Sequence, residues 1–300
     1  DIRRFLGPSQ NSFADAIGRE GRGRQSGRAR HARAVHGRDV RRKLRRCGLF
    51  FLQFGEFLFE LVNAILQRRQ ARVEQADIEE RDVFGGRIER VNLATGRFER
   101  VYDTVDGQPL RGPNDLVFDA AGGFYFTDLG KSRPADMDRG GLYYALVDGK
   151  TAVTVSRPLM TPNGVALSPD GKTLYYAETE GARVWAFDLA APGKITRQKT
   201  SPHGARLLAA SPGGHYQMFD SMAVDAFGNV CVATIARGGI SVVAPDGSAC
   251  SHVPMPDPIT TNICFGGPGH RTAFITLSGT GKLVAVDDWP VPGLPLSFEA

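Results

Sequence analysis

The amino-acid sequence predicts an all-β protein with the architecture of a six-bladed β-propeller. Two observations lead to this prediction: a strand–turn–strand unit recurs four times, and a second pair of short strands follows each copy. Four-stranded units that repeat about every 40–50 residues are typical of propeller blades. No long helix-forming stretch interrupts these units, which argues against folds that alternate strands with helices.

Each recurring unit begins with a polar residue, here called an anchor, and continues as a short apolar strand. The strand turns at a cluster of Asp, Gly or Pro and is followed by a strand rich in Tyr, Phe and Val. The anchors are Asn114, Asn163, Asp220 and Asn262, at spacings of 49, 57 and 42 residues. Dividing the 300 residues by the mean spacing of about 49 gives about six blades. Since residues 84–300 supply only four to five of them, we expect the first blade and part of the second to be atypical or absent.

The composition changes abruptly near Val83. Residues 1–83 contain 18 basic and 11 acidic residues, whereas residues 84–300 contain 19 basic and 21 acidic ones. The chain is 42% hydrophobic and 23% charged, which is typical of globular proteins. Its four cysteines include no CxxC pair, which argues against a disulfide scaffold or a zinc ribbon and favours a reducing, cytoplasmic setting. The sequence thus predicts an Arg-rich N-terminal segment followed by propeller blades.

Three interpretations of residues 1–83 remain open. Residues 19–46 are Arg-rich but lack aromatic residues for stacking on bases, so we expect no nucleic-acid partner and favour a disordered tail. Residues 48–66 are apolar but contain two Glu, so they predict an amphipathic helix to about Gln70 rather than a membrane span. The third interpretation is an out-of-frame translation of a GC-rich gene, which reading the coding DNA in the other two frames would test.

The anchors are candidates for a cation site. The innermost strands of a propeller line its central channel, so the residues that begin them converge at one mouth. Three amides and one carboxylate offer hard oxygen atoms of low total charge, which suit Ca²⁺ or Mg²⁺. The alternative is that these residues only open turns and cap strand ends.

The strings LRGPNDLVFDAAGGFYFTDLGKSRP, TPNGVALSPDGKTLYYAET and FDSMAVDAFGNVCVAT, in this order, resemble the gluconolactonase and regucalcin (senescence marker protein) family. The resemblance covers residues 85 to about 298. It implies a six-bladed propeller with one divalent cation at the channel mouth, usually Ca²⁺, with Mg²⁺, Mn²⁺ or Zn²⁺ as alternatives. It also implies that Asn163 and Asp220 are metal ligands and that Asn114 contacts the metal or the substrate.

The sequence departs from the family pattern in two places. Family members carry a metal-binding Glu in an E-G-P motif of the first blade, which residues 1–83 lack; Glu56 and Glu60 are the nearest carboxylates to an apolar run. Some members carry an Arg two residues before the Asn of the PND motif, where this chain has Gly112, with Arg111 one position away. We include Arg111 and Asp128 with Asn114 as candidate substrate-binding residues.

The predicted function is hydrolysis of a sugar lactone resembling gluconolactone. In this interpretation the cation polarises the lactone carbonyl, and Asp220 both binds the cation and orients or deprotonates the attacking water. One alternative is a non-catalytic Ca²⁺-binding propeller module. Another is an inactive relative that lacks the first-blade Glu. The expected partner is a small-molecule lactone, and the sequence predicts no particular oligomeric state.

Overall fold

The structure is a computed structural model that describes residues 33–34, 85–92, 95–211 and 216–296. The helical elements in these residues are two single turns of 3-10 helix, Pro268–His270 and Ser278–Thr280. The strands in chain order are β1 (Arg33–Ala34), β2 (Ile88–Val91), β3 (Phe98–Tyr102), β4 (Thr104–Val105), β5 (Gln108–Pro109), β6 (Pro113–Phe118), β7 (Gly123–Asp128), β8 (Gly140–Leu146), β9 (Ala152–Leu159), β10 (Pro162–Leu167), β11 (Thr173–Glu178), β12 (Arg183–Ala191), β13 (Lys194–Thr196), β14 (Arg206–Ala210), β15 (Met218–Val224), β16 (Val230–Ile235), β17 (Gly239–Val243), β18 (Cys250–Pro254), β19 (Thr260–Gly266), β20 (Thr272–Leu277) and β21 (Lys282–Val286).

Four antiparallel sheets have the form of propeller blades, each a meander that starts at its innermost strand. Blade I contains β6–β9, blade II β10–β14, blade III β15–β18, and blade IV β19–β21 together with β1. In blade II two short strands share the outer edge, because β13 and β14 both pair with β12. The innermost strands contact their neighbours in sequence, β6 with β10, β10 with β15 and β15 with β19. The blades therefore follow one another around a common channel that their first strands line.

One apolar core fills each gap between neighbouring blades. Blades I and II enclose large side chains such as Tyr125, Leu142, Tyr176 and Phe187. The cores between blades II and III and between blades III and IV contain more Val, Ile and Ala. Because a blade is covered on both faces, its second strand is buried almost throughout, as in β7, β11 and β16. This face-to-face packing places the first strands side by side around the channel.

The prediction of an all-β propeller is confirmed, but the prediction of six blades is wrong for the described residues, which form four. Two short hairpins, β2–β3 and β4–β5, precede blade I. They pack against it through a core in which Ile88, Tyr102 and Leu110 meet Phe124 and Phe126. The count of six assumed that the repeat extends over the whole length, whereas the first complete four-stranded unit begins only with β6.

Blade IV takes its outer strand from the Arg-rich segment. Arg33 pairs with Ala285 and Ala34 with Val284, so β1 lies antiparallel to β21. Arg33 and Ala34 are the residues of the segment 1–83 that the structure describes, so the disordered tail predicted for residues 19–46 stays a prediction. The predicted helix over residues 48–66 lies outside the described residues.

A C-terminal strap, residues 289–296, joins blades III and IV at the end of the channel away from the anchors. The N–H of Leu294 donates to the carbonyl of Val224 over 3.0 Å, and the N–H of Gly293 donates to the carbonyl of His270 over 2.9 Å. The strap approaches blade IV so closely that a Cβ on Gly293 would overlap the Cβ of Phe265. Within the described part of the chain, no helix has the length and apolar character needed to cross a membrane.

Candidate metal centre

All four innermost strands contain a β-bulge at the level of the anchors. In blade I, Pro113 pairs with Asp128 but Leu116 pairs with Phe126, so β6 accommodates one extra residue. The same shift occurs in β10, β15 and β19. Bulges re-aim side chains and are common beside functional sites. The corresponding residues in the four bulges are Asn114, Asn163, Asp220 and Thr261.

The predicted fourth anchor, Asn262, is therefore one position away from its true equivalent. The register shift in β19 falls at Thr261, the residue before Asn262. The hydroxyl oxygen of Thr261 lies 2.9 Å from Oγ1 of Thr276 and 2.6 Å from Oγ of Ser278. Blade IV thus presents a hydroxyl at this level, and Asn262 belongs to the next level along the channel.

Two buried amide oxygens at the mouth have no hydrogen-bond partner among the described residues. Asn163 donates through Nδ2 to Oγ1 of Thr179 over 3.1 Å and also hydrogen-bonds the carboxylate of Asp220. Its Oδ1 is buried and unpaired, and so is the Oδ1 of Asn114. An unpaired buried polar group costs about 1–3 kcal/mol, so these oxygens indicate a ligand. Together with the carboxylate of Asp220 they form a donor set that fits a hard divalent cation.

Asp220 is the half-buried carboxylate of this set. Its Oδ1 accepts a hydrogen bond of 3.0 Å from the N–H of Ser221. Burial raises the pKa of Asp220 to about 7; the hydrogen bond from Asn163 opposes this shift, and the charge of Asp115 adds to it. A cation bound beside this carboxylate would favour its ionised form.

A second carboxylate, Asp115, lies one level further along the channel, and the sequence analysis did not identify it. Its Oδ1 accepts a hydrogen bond of 2.8 Å from the N–H of Leu116. Burial raises the pKa of Asp115 to about 7, and hydrogen bonds from Leu116, Val165, Ser221 and Met222 oppose the shift. The sequence gives only a weak signal for Asp115, because nothing marks it except that it follows the anchor Asn114.

Asp128, the last residue of β7, is hydrogen-bonded to the loop that contains Arg111 and leads into β6. The carboxylate of Asp128 is buried and accepts hydrogen bonds from the N–H groups of Arg111, Gly112 and Gly130, at 2.7, 2.7 and 3.0 Å. With its oxygens engaged in this way, Asp128 holds the loop that leads into Asn114, and the geometry gives no support to its predicted role in binding substrate. The side chain of Arg111 is exposed on this loop.

The first-blade Glu that the sequence resemblance implies is not among the residues that the structure describes. No three His, Cys, Asp or Glu side chains come together within residues 33–34, 85–92, 95–211 and 216–296. Glu56 and Glu60, the nearest candidates for the first-blade Glu, lie outside these residues. The described donor set therefore consists of two amides and one carboxylate.

Beyond the anchors the channel widens into a cavity of about 770 Å³. Its walls are mainly apolar and consist of the first strands of all four blades, the turns that follow β6 and β10, and the turn between β12 and β13. Asp115, Met222 and Asn262 line it, and Leu294 of the C-terminal strap contributes at the far end. The polar mouth thus lies over an apolar channel.

Comparisons with known proteins agree on one family. The sequence profile described as "SMP-30/Gluconolactonase/LRE-like region" matches residues 69–279. The gluconolactonase of Zymomonas mobilis is 32% identical over 206 residues, which cover 64% of this chain and 55% of that protein. The diisopropyl-fluorophosphatase of Loligo vulgaris is 30% identical over 194 residues, which cover 60% of this chain and 59% of that protein. The match thus spans little more than half the length of these two relatives.

A solved structure gives the same result at the level of the fold. The gluconolactonase from Xanthomonas campestris superposes with a TM-score of 0.54 at 28% sequence identity. The superposition covers 69% of this chain and 65% of that one. The four blades described above are therefore arranged as in a propeller lactonase.

Proposed function

Because this chain belongs to the SMP-30/gluconolactonase/LRE-like family, we propose that it hydrolyses a lactone with the help of a divalent cation at the channel mouth. The observation that supports this most directly is the pair of buried, unpaired amide oxygens on Asn114 and Asn163 beside the carboxylate of Asp220. The named relatives, a gluconolactonase and a diisopropyl-fluorophosphatase, favour a hydrolase. A sugar lactone such as gluconolactone is the first substrate to test.

In this proposal Asn114, Asn163 and Asp220 hold the cation. Oxygen donors from amides and a single carboxylate favour Ca²⁺, with Mg²⁺ as the next choice. When bound, such a cation supplies Lewis-acid polarisation of the lactone carbonyl and stabilisation of developing negative charge on its oxygen. The side chain of Asn163 lies beside the carboxylate of Asp220, so both can offer an oxygen to the same cation.

Asp220 is also the proposed general base. Its carboxylate lies among the proposed cation ligands, where water would meet the lactone, and in its ionised form it can accept a proton from that water. The water oxygen attacks the carbonyl carbon, the ring C–O bond breaks, and the proton passes to the leaving oxygen to give a hydroxy acid. The alternative assignment, in which Asp220 is a ligand only, predicts the same product.

The loop above β6 is the proposed substrate-positioning element. Asp128 fixes its backbone, and the exposed guanidinium of Arg111, whose charge also acts on Asp138, would meet an oxygen of the substrate. Asn114 follows directly at the start of β6, so that a shift in the loop would also displace a cation ligand. In this proposal Asp128 acts by positioning the loop rather than by touching the substrate.

A non-catalytic cation-binding propeller remains the second candidate, because the described donor set contains a single carboxylate. The two candidates share the cation and differ only in turnover. The cytoplasmic location also remains a proposal, which rests on the cysteine usage alone.

The test follows acid release from D-glucono-δ-lactone by the purified chain, with Ca²⁺ and with excess EDTA. We expect EDTA to abolish hydrolysis and Ca²⁺ to restore it. Asp220→Asn should lower kcat/KM by about 100-fold or more, because it removes both a ligand and the base.

The matched control is Asp225→Asn, which changes a buried carboxylate near the other end of the same strand. It should leave kcat/KM within about twofold of the unchanged chain. Hydrolysis that resists EDTA would contradict the cation mechanism. Ca²⁺ binding without any hydrolysis would instead identify the non-catalytic module.

A further inference from the structure

The three proposed ligands stand on three separate sheets. Asn114 lies on β6, Asn163 on β10 and Asp220 on β15, and no ladder of hydrogen bonds joins these strands. A divalent cation tolerates only small changes in the separation of its ligands, because its bonds to oxygen have narrow length ranges. The spacing of the three strands is therefore set across the gaps between blades, by the apolar cores and by polar side chains that reach from one blade to the next.

Asp115 is a side chain that does this at the level next to the ligands. It belongs to β6 of blade I, where the N–H of Leu116 donates to it over 2.8 Å. Its carboxylate also faces the backbone of Val165 in β10 and the hydroxyl of Ser221 and backbone of Met222 in β15, and these groups lower its pKa against the effect of burial. One carboxylate thus contacts all three of the strands that carry the proposed ligands.

The residues at the equivalent bulge positions of blades II and III have a small side chain or none, which suits the carboxylate of Asp115. Blade II carries Gly164 there, and a Cβ on this residue would lie 2.6 Å from the carbonyl oxygen of Asp220 and 2.9 Å from the nitrogen of Met222. The absence of a side chain therefore lets β10 and β15 approach each other closely. Blade III carries Ser221, whose hydroxyl supplies one of the donors to Asp115.

We propose that Asp115 is a positioning residue, which fixes the first strands of blades I, II and III at the separation that lets the oxygens of Asn114, Asn163 and Asp220 meet at one cation. The inference rests on the cation site of the proposed function. In this proposal Asp115 does not contact the cation. It acts by holding in place the strands whose side chains bind the cation.

The alternative is that Asp115 only stabilises the fold, as a buried carboxylate with several amide donors often does. Asp225 has that purely local role on the same strand. It accepts hydrogen bonds from the N–H groups of Phe227 and Asn229 at 2.9 Å each and from Nδ2 of Asn229 at 2.8 Å, all within its own turn. Asp225→Asn is therefore a matched control, since it removes a similar carboxylate without affecting the contacts between blades.

The experiment measures the Ca²⁺ dissociation constant by calorimetry, the kcat on D-glucono-δ-lactone and the melting temperature, for the full chain and both variants. Asp115→Asn places an NH₂ group where backbone N–H donors converge, so the strands must separate. We expect its Ca²⁺ dissociation constant to rise and its kcat to fall by at least tenfold each. Asp225→Asn should lower the melting temperature to a similar extent but leave both values within twofold.

A second pair of variants keeps the test decisive if Asp115→Asn fails to fold. Ser221→Ala removes one donor to Asp115 and should raise the Ca²⁺ dissociation constant by two- to fivefold. Ser241→Ala, which removes a buried hydroxyl bonded to Thr234 and His252 in the same blade, should leave it unchanged. The double variant Asp115→Asn/Ser221→Ala should bind Ca²⁺ no more weakly than Asp115→Asn alone.

Equal Ca²⁺ affinities in the Asp115 variant and the unchanged chain would overturn the positioning role, and so would equal losses in the Asp115 and Asp225 variants. Equal Ca²⁺ affinities in Ser221→Ala and Ser241→Ala would also overturn the positioning role. An unchanged chain that binds no Ca²⁺ and hydrolyses no lactone would instead overturn the proposed function itself. The two failures are therefore distinguishable.

Discussion

Asp128 and Asp257 are carboxylates whose oxygens serve the backbone of nearby loops. Asp257 accepts hydrogen bonds from the N–H of Ile259 at 2.8 Å and from the N–H and hydroxyl of Thr280 at 2.7 Å each. Asp220, in contrast, has a single backbone donor, the N–H of Ser221, and a side-chain partner that is itself a proposed ligand. The availability of its oxygens, more than its presence at a strand end, is what makes Asp220 the candidate for chemistry.

His252 makes a pH-dependent contribution to stability. Burial above all, together with nearby Arg237, lowers its pKa from an ordinary 6.5 to about 4, against the hydrogen bond to the carbonyl of Gly238. Between these two values the unfolded chain binds a proton that the folded chain does not, so this group makes stability fall as the pH drops from 6.5 to 4. Above pH 6.5 it has no such effect.

The measurement is urea unfolding at pH 7 and pH 4.5 of the unchanged chain and of His252→Gln. The variant should lose less stability over this interval, by about 1–2 kcal/mol once solvent screening of the ring is allowed for. Identical losses in the two proteins would show that His252 does not titrate abnormally.

At the scale of single residues, the sequence identified three members of the proposed site and mistook a fourth. Asn114, Asn163 and Asp220 begin apolar strands in the same way, so that the repeat made them visible. Asn262 resembles an anchor because it, like Asn163, precedes a short apolar strand and a Gly/Pro turn. The bulge at Thr261 is a feature of strand pairing, which a single strand's sequence does not encode.

At the scale of elements, the bulge of β10 depends on a glycine for close packing rather than for an unusual backbone angle. A Cβ on Gly164 would meet backbone atoms of β15, which cannot move away as a flexible side chain could. Gly164→Ala should therefore destabilise the fold by about 2–4 kcal/mol and lower lactone hydrolysis, since it forces apart two strands that carry ligands.

Gly266→Ala is the matched control, at the far end of β19. Its Cβ would meet only the ring of Phe274, at 3.3 Å, so the cost should stay below about 1 kcal/mol. Urea unfolding of both variants measures the difference. Equal costs for the two substitutions would contradict the close approach of β10 and β15.

Most of the strands were predictable because their patterns are simple. The four strand–turn–strand units correspond to β6–β7, β10–β11, β15–β16 and β19–β20. The apolar letters and turn residues in these units are strong local signals. The division of the outer edge of blade II into β13 and β14 was not predictable, because it depends on how both strands meet β12.

At the scale of the whole molecule, the number of blades was the least predictable property. Each strand–turn–strand unit is visible in its own sequence pattern, whereas the number of blades follows only from the chain length. Composition does show a boundary near Val83, but it does not say what the residues before it form. The family match identifies the architecture, and the described residues supply four of its blades.

The C-terminal strap should contribute measurably to global stability. Gly293→Ala would drive its Cβ into Phe265 and weaken the hydrogen bonds that join the strap to blades III and IV. We expect a loss of about 2–4 kcal/mol, seen as a melting temperature lower by several degrees. Pro295→Ala, an exposed position two residues later, should have little effect. A melting temperature unchanged in Gly293→Ala would mean that the strap is not part of the cooperative unit.

The pairing of β1 with β21 has a consequence for the order of folding. Within a blade, consecutive strands are joined by short turns, whereas this pair brings together residues about 250 positions apart. Closing so long a loop costs roughly 2.5 kcal/mol more chain entropy than closing a loop of about 15 residues. A ladder only two residues long contributes little favourable free energy until the sheet that it joins has formed. The individual blades should therefore form early, and the contact of β1 with blade IV should be among the last to form and the first to open.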